Sequence, residues 1–223
     1  MKTVGRVMVG LGLLLGVQGT AQAEPPLLDF GRAYVSLGLG HSWANLDEYE
    51  SAGLAVDDKD WNYSLGVGYR FNQYIALEAG YLNLGEASAA ASGATTGNVG
   101  GYPYSATGAV DIKAEVDGWY LGPRVSFNVL DKLDVEGTIG AYFWSADYSA
   151  SYTGTLTYRG TTQVGGASIT DSDSGTDVYA GLGLAYKLND QFSLRTGYTR
   201  YNIDDFDVDT FGVSVSYNFG SIK

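Results

Sequence analysis

The sequence predicts an all-β fold: an eight-stranded, antiparallel, up-and-down transmembrane β-barrel. Three observations predict it. First, residues 210–219 read Thr-Phe-Gly-Val-Ser-Val-Ser-Tyr-Asn-Phe. Phe211, Val213, Val215, Tyr217 and Phe219 fall on one face, and Gly212, Ser214, Ser216 and Asn218 on the other, which is the period of a β-strand. A soluble barrel keeps its apolar side chains inside; here the second face is too hydrophilic for a core, so the pattern fits lipid outside and a polar lumen. Second, the connections between such stretches alternate between long or acidic segments and turns of a few residues, four times over. That alternation belongs to an up-and-down membrane barrel rather than a Greek-key sandwich. Third, mean hydropathy is −0.06, and the one long apolar run lies at the start of the chain, so any insertion into a membrane must use strands.

That run reads as a secretory signal. Lys2 and Arg6 precede the apolar residues 7–17, and Ala21-Gln22-Ala23 supplies a small-x-small cleavage site before Glu24. The expected organisation is a signal peptide over 1–23 and a barrel domain over 24–223. Removing Lys2 and Arg6 takes the formal charge from −12 to −14, which argues against a nucleic-acid partner. The absence of Cys excludes a disulfide framework, a Cys-based metal site and a lipid anchor on Cys.

After a leader containing Pro25-Pro26, the strands follow in order. The first, 33–44, sends Val35, Leu37, Leu39, His41 and Trp43 out, and Tyr34, Ser36, Gly38, Gly40 and Ser42 in. An acidic loop runs to about Asp60. The second strand, 62–71, turns Tyr63, Leu65, Val67, Tyr69 and Phe71 out, and Ser64, Gly66, Gly68 and Arg70 in. A turn at Asn72-Gln73 leads into the third, 74–84, with Ile75, Leu77, Ala79 and Tyr81 out and Glu78 and Gly80 in. Residues 85–109, rich in Gly, Ala, Ser and Thr, are expected as a long flexible loop.

The fourth strand, 117–128, points Trp119, Leu121, Pro123, Val125 and Phe127 out, and Tyr120, Gly122, Arg124 and Ser126 in. Pro123 cannot donate to the ladder, so a bulge is expected there. Val110, Ile112 and Val116 have the opposite parity to Trp119; either a bulge near Asp117-Gly118 resets the face or the strand already stands above the bilayer. A turn at 130–132 gives the fifth strand, 133–144, with Val135, Ile139, Ala141 and Phe143 out, and Asp134, Glu136, Thr138 and Tyr142 in. A second long polar segment spans about 149–176. The sixth strand, 177–188, sends Val178, Ala180, Leu182, Leu184 and Tyr186 out, and Tyr179, Gly181, Gly183 and Lys187 in. A turn at 189–191 leads to the seventh, 192–202, with Leu194, Thr196 and Tyr198 out and Ser193, Arg195 and Gly197 in. A short acidic loop at 204–207 precedes the last strand.

Outward aromatics make two belts. Phe71, Phe127, Tyr186, Phe192, Tyr217 and Phe219 sit at the short-turn ends; Trp43, Tyr81, Trp119, Phe143, Tyr198 and Phe211 sit nearer the long loops. In this frame Thr210, Gly212, Val215, Tyr217 and Phe219 resemble the C-terminal β-signal of bacterial outer-membrane barrels, with the departure that Gly220 to Lys223 follow the final aromatic. The resemblance implies reading by the barrel-assembly machinery. The whole chain from residue 24 resembles the OmpA-type transmembrane domain and its small outer-membrane relatives. That implies an outer-membrane location among lipid and lipopolysaccharide, with both termini periplasmic, long loops outside the cell, and a monomer. No peptidoglycan-binding module is expected after the last strand.

The candidate site is the set of inward charges: Arg70, Glu78, Arg124, Asp134, Glu136, Lys187 and Arg195. A narrow barrel must pair them, because an unpaired buried charge costs several kcal/mol. Arg124, between the third and fifth strands, is placed to reach both Glu78 and Glu136. The lumenal network is therefore read as Arg70, Glu78, Arg124, Glu136 and Arg195, filling the lumen as a plug, with a switchable gate as the alternative. His41-Ser42 is the one His-Ser pair, but adjacent strand residues point to opposite faces, against a catalytic dyad. The acidic loops (Asp47, Glu48, Glu50, Asp57, Asp58 and Asp60; Asp171 and Asp173; Asp204, Asp205, Asp207 and Asp209) lack the spacing of a Ca²⁺ loop and read as solvated charge. No cofactor or metal is expected. The functional expectation is a non-enzymatic barrel with a structural or surface-interaction role. Its alternatives are a narrow ion or small-solute channel, a lipid-A-modifying enzyme, and a soluble lipocalin-like barrel with an apolar interior.

Overall fold

Among the described residues, 32–45, 55–203 and 206–220, the computed structural model contains nine strands and no α-helix. They are β1 Ala33–Ala44, β2 Ala55–Asp57, β3 Lys59–Arg70, β4 Ile75–Val99, β5 Tyr102–Leu130, β6 Leu133–Tyr158, β7 Thr161–Lys187, β8 Phe192–Ile203 and β9 Phe206–Asn218. The expected signal peptide over 1–23, the leader up to Gly31, Asp47, Glu48, Glu50, Asp204 and Asp205 lie outside the described residues. All neighbouring strands pair antiparallel, and the hydrogen-bonded order β4-β3-β1-β9-β8-β7-β6-β5 closes through a β4–β5 ladder. Eight strands thus make a ring without an edge. Short β2 lies outside the ring and, among the described residues, pairs with β4 alone. Both ends of the described barrel meet at the short-turn side, where Tyr34 faces Asn218.

Side-chain direction follows the period-two pattern. Tyr34 is 1 % exposed and Tyr142 0 %, whereas the outward Leu37 and Leu182 are 66 % and 72 % exposed. Large apolar residues point outward all around the ring, which overturns the lipocalin-like alternative. Each such side chain removed from water gains about 1.5–3 kcal/mol, which lipid supplies here. Eight residues separate Phe211 from Phe219; at about 3.3 Å per residue and a tilt near 40° they span roughly 20 Å, close to the apolar band of such barrels.

The short turns are built as their residues dictate. Asn72 Oδ1 accepts from the backbone N–H of Tyr74 and Ile75, and Asn189 Oδ1 accepts from those of Gln191 and Phe192. These are Asx turns.

Four expectations are corrected. The segments expected as loops, 85–109 and 149–176, are strands. β4 and β5 continue in register to Val99↔Tyr102, β6 and β7 to Tyr158↔Thr161, and β5 pairs with β6 up to Tyr104↔Tyr158. A four-stranded sheet therefore rises about 40 Å beyond the ring at roughly 3.3 Å per residue. Two-residue turns close it: Gly100-Gly101 with φ 60° and 83°, and Arg159-Gly160 with φ 52° and 77°. Positive φ at both positions is the hairpin geometry that matches strand twist. The alternation was invisible because Ala, Gly, Ser and Thr differ little in hydropathy.

Pro123 makes no bulge. The ladder to β6 is interrupted over Gly122-Pro123, but Leu121↔Ala141 and Arg124↔Thr138 keep one register. Nor does Asp117-Gly118 reset β5, whose parity is unbroken; the register shift lies on β4, between Asn83 and Gly85. Val116 points inward. The third correction concerns the lumen, which is not polar throughout. At its long-hairpin end Leu82, Leu84, Val116, Trp144, Ile203 and Val208 join buried tyrosines in an apolar cap. The fourth is the extent of the ends: β9 begins at Phe206, and β3 at Lys59.

Candidate functional site

Glu78, on β4, has β3 on one side and β5 on the other, and its side-chain partners come from β1, β5 and β8. Its Cα partners are Gly68 and Gly122. At Gly68 a Cβ would lie 2.2 Å from the Tyr34 ring; the missing side chain lets that ring lie across β3. From there Tyr34 donates its hydroxyl to Glu78 Oε2 at 2.7 Å, and Tyr120 donates to Oε1 at 3.0 Å. Arg124 gives Glu78 two further bonds, from Nη2 at 2.9 Å and Nε at 3.2 Å, and Arg195 Nη1 adds one at 3.3 Å.

The same two guanidinium groups close the pattern on Glu136. Arg124 Nη1 lies 3.0 Å from Glu136 Oε2, and Ser126 donates to Oε1 at 3.1 Å. Arg195 Nε lies 3.4 Å from Glu136 Oε2 without an aligned hydrogen bond. Two arginines and two glutamates thus form a closed, charge-neutral square. Glu78, Glu136 and Arg195 are 4–5 % exposed. Fork geometry suits Arg for this task, since one planar group serves two carboxylates.

Of the expected network, Glu78, Arg124, Glu136 and Arg195 come together. Arg70 stands apart: it donates from Nε to Asn218 Oδ1 at 3.2 Å and lies over the Tyr34 ring at 5.2 Å. Its strand position is two residues nearer the turn than Gly68, so its guanidinium serves the short-turn end of the lumen. Lys187 and Asp134 make a separate pair at 3.4 Å.

Between the ionic square and the apolar cap lies a cavity of about 150 Å³, lined by Ser36, Asn62, Ser64, Tyr179, Tyr201 and Thr210 among others. The cap is tied by Tyr142, which donates to the Leu82 carbonyl at 3.1 Å, and by Trp144 Nε1, which donates to Asp177 at 2.7 Å. Sequence reasoning placed Tyr142 inside but missed the cap. The inward parity of Leu82, Trp144 and Val208 was its available signal.

His41 is exposed on the outer face, with its ring 4.2 Å from that of Trp61, while Ser42 is buried and accepts from Asn62 Nδ2 at 3.0 Å. The two side chains face opposite sides of the wall. Thr210, Gly212, Val215 and Tyr217 lie on β9, which pairs with β1 and β8, and Phe219 follows directly after it and donates its backbone N–H to the Ala33 carbonyl at 3.0 Å.

The raised sheet has two unlike faces, set by register. Rows such as Ala89-Ile112-Ala150-Ile169 and Ala91-Val110-Tyr152-Ala167 lie on the face that continues the lumenal wall. Rows such as Ser88-Lys113-Ser149-Thr170 and Ser92-Ala109-Thr153-Gly166 lie on the other. Lys113 pairs with Glu86 at 2.8 Å, and that bond raises the pKa of its ammonium group.

Comparison with known proteins gives consistent matches. A model of the outer membrane protein beta-barrel domain matches residues 9–219. Outer membrane protein A of Serratia marcescens is 29 % identical over 163 residues, covering 69 % of this chain and 38 % of that protein. Outer membrane protein A of Shigella flexneri is 28 % identical with the same coverage. The match therefore spans well under half the length of these relatives. Among solved structures, the attachment invasion locus protein of Yersinia pestis aligns over 83 % of this chain and 96 % of that one, at 18 % identity and TM-score 0.45. Neisserial surface protein A aligns over 84 % and 97 %, at 14 % identity and TM-score 0.42.

Proposed function

We propose, on the premise that this chain belongs to the outer membrane protein beta-barrel family, that it is a non-enzymatic outer-membrane anchor whose working part is the raised sheet. The observation that carries this reading is the contrast between the two halves. The lumen is filled in series by an ionic square and an apolar cap, whereas β4–β7 extend well past the ring. A filled barrel suits anchoring, and a long sheet suits contact. In this reading residues 1–23 direct export and are removed, and both termini face the periplasm. The sheet stands outside the cell among lipopolysaccharide. Thr210, Gly212, Val215, Tyr217 and Phe219 present the β-signal to the assembly machinery, and one copy closes its own barrel in the membrane.

Two measurements test it. Single-cysteine variants Thr153→Cys, on the sheet, and Asp190→Cys, in a short turn, are treated on intact cells with a membrane-impermeant maleimide. Labelling of Thr153→Cys alone is expected; labelling of Asp190→Cys alone would invert the orientation. In planar bilayers the protein is expected to give no unitary current. Steady conductance steps that vanish in Arg124→Ala would favour a channel instead.

A further inference from the structure

The raised sheet exposes an apolar face where water should be. On that face Val110 and Ile112 are each 38 % exposed, Leu156 45 %, Tyr152 52 % and Ile169 72 %. Its one charged side chain above the apolar cap is Asp171, at its foot. The opposite face is mainly Ser and Thr, with Val164 as its one large apolar residue. In the membrane the barrel turns its apolar face outward; above the ring the contrast reverses, and the apolar side is continuous with the lumenal cap. Halfway up, Gly93, Gly108, Gly154 and Gly165 align in one row across all four strands. Gly93 and Gly165, on the two outer strands, leave open space there, while the Tyr152 ring lies over Gly108 and Gly154 between them.

The size of the face fits one kind of occupant. Four strands at about 4.8 Å spacing and about 40 Å of rise give a footprint of roughly 750 Å². A stable interface buries about 800 Å² per partner. Two such sheets pack face to face at about 10 Å, burying both apolar faces as in a β-sandwich. A single chain offers one such sheet, so the matching surface is a second copy.

Geometry then decides how the copies meet. Among the described residues the face looks across its own barrel mouth, because the strands of the opposite wall end at Ala44 of β1 and Ile203 of β8. A second sheet 10 Å away stands directly above that mouth. It has no room to descend into a barrel of its own in the same membrane, so it must come down from a facing membrane. We propose that this protein pairs with a second copy of itself across two apposed outer membranes, the raised sheets packed antiparallel through their apolar faces. This rests on the outward orientation of the sheet proposed above and names the partner for it.

The chain has no Cys, so single-cysteine variants report directly. Ala150 and Leu156 lie on the apolar face on either side of its midpoint, about 20 Å apart at 3.3 Å per residue. Two liposome populations, one carrying Ala150→Cys and the other Leu156→Cys, are mixed and treated with a short bismaleimide that bridges an inter-sheet gap of about 10 Å. Antiparallel pairing predicts a covalent dimer in the mixture and at most a tenth of it in either population alone. Thr153→Cys, on the polar face, should not cross-link, and adding Tyr152→Ser should abolish the mixed product. A dimer within each single population would mean parallel contact in one membrane and overturn the proposal. Monomer throughout, with Thr153→Cys still labelled on intact cells, would overturn the pairing and leave the outward sheet standing. Failure of that labelling would instead overturn the orientation beneath it.

Discussion

Glu78 accepts from Tyr34, Tyr120, Arg124 and Arg195, so one carboxylate fixes four strands around the lumen. Replacing it with Gln leaves two guanidinium groups facing Glu136 alone. The expected cost is about 3–5 kcal/mol, read as a lower urea midpoint for the refolded protein, whereas Lys113→Ala on the exposed sheet should leave that midpoint nearly unchanged. Current should stay absent in Glu78→Gln, because the apolar cap above it is untouched. At Gly68 the constraint is steric. Gly68→Leu would force the Tyr34 ring off Glu78 and is expected to remove the unboiled, fast-migrating folded band; Gly93→Leu, where a Cβ meets nothing within 4 Å, should keep it. Most of the ionic square was legible in the sequence, since inward parity and neighbouring strands bring Arg124 to both glutamates. The height of each charge was not. Arg70 shares the face but sits nearer the turn, and only the ladder with β4 shows that.

Among the elements, the strands with strong contrast between faces, such as β9, could be read to within a few residues. β4 to β7 were read at their barrel halves only. Their upper halves alternate Ala with Ser, or Tyr with Thr, and that weak contrast hid a regular sheet. The missed local signals were Gly100-Gly101 and Arg159-Gly160, two-residue turns with positive φ. Amide hydrogen exchange tests this assignment directly. Interior amides of 104–114 and 149–157 should exchange at least 100-fold more slowly than unstructured chain, since β5 and β6 are paired on both sides. Exchange at the unstructured rate would return these segments to loops. On the outer wall, Leu182→Arg, midway along the membrane-facing part of β7, should cost about 2–4 kcal/mol on folding into bilayers; little or no cost would argue against lipid at that face.

The whole molecule divides its labour by height. The ring satisfies all of its strand pairing internally, and the square and cap fill it, so its stability should not depend on what it carries. The raised sheet depends on the ring for its base, since its four strands are the continuations of β4 to β7. The central claim is that the ring is a self-sufficient anchor and the sheet its cargo. The most direct test replaces residues 88–113 and 149–170 with Asn-Gly turns, which cuts all four strands at the level of the Ala87-Ala114-Tyr148-Asp171 row. The trimmed chain is refolded in detergent and run on SDS gels, unboiled and boiled. A band that still shifts on boiling is predicted, because the closed hydrogen-bonded ring remains intact. Loss of the shift in the trimmed chain, with the full chain still shifting, would contradict the account by making the sheet part of what holds the barrel together.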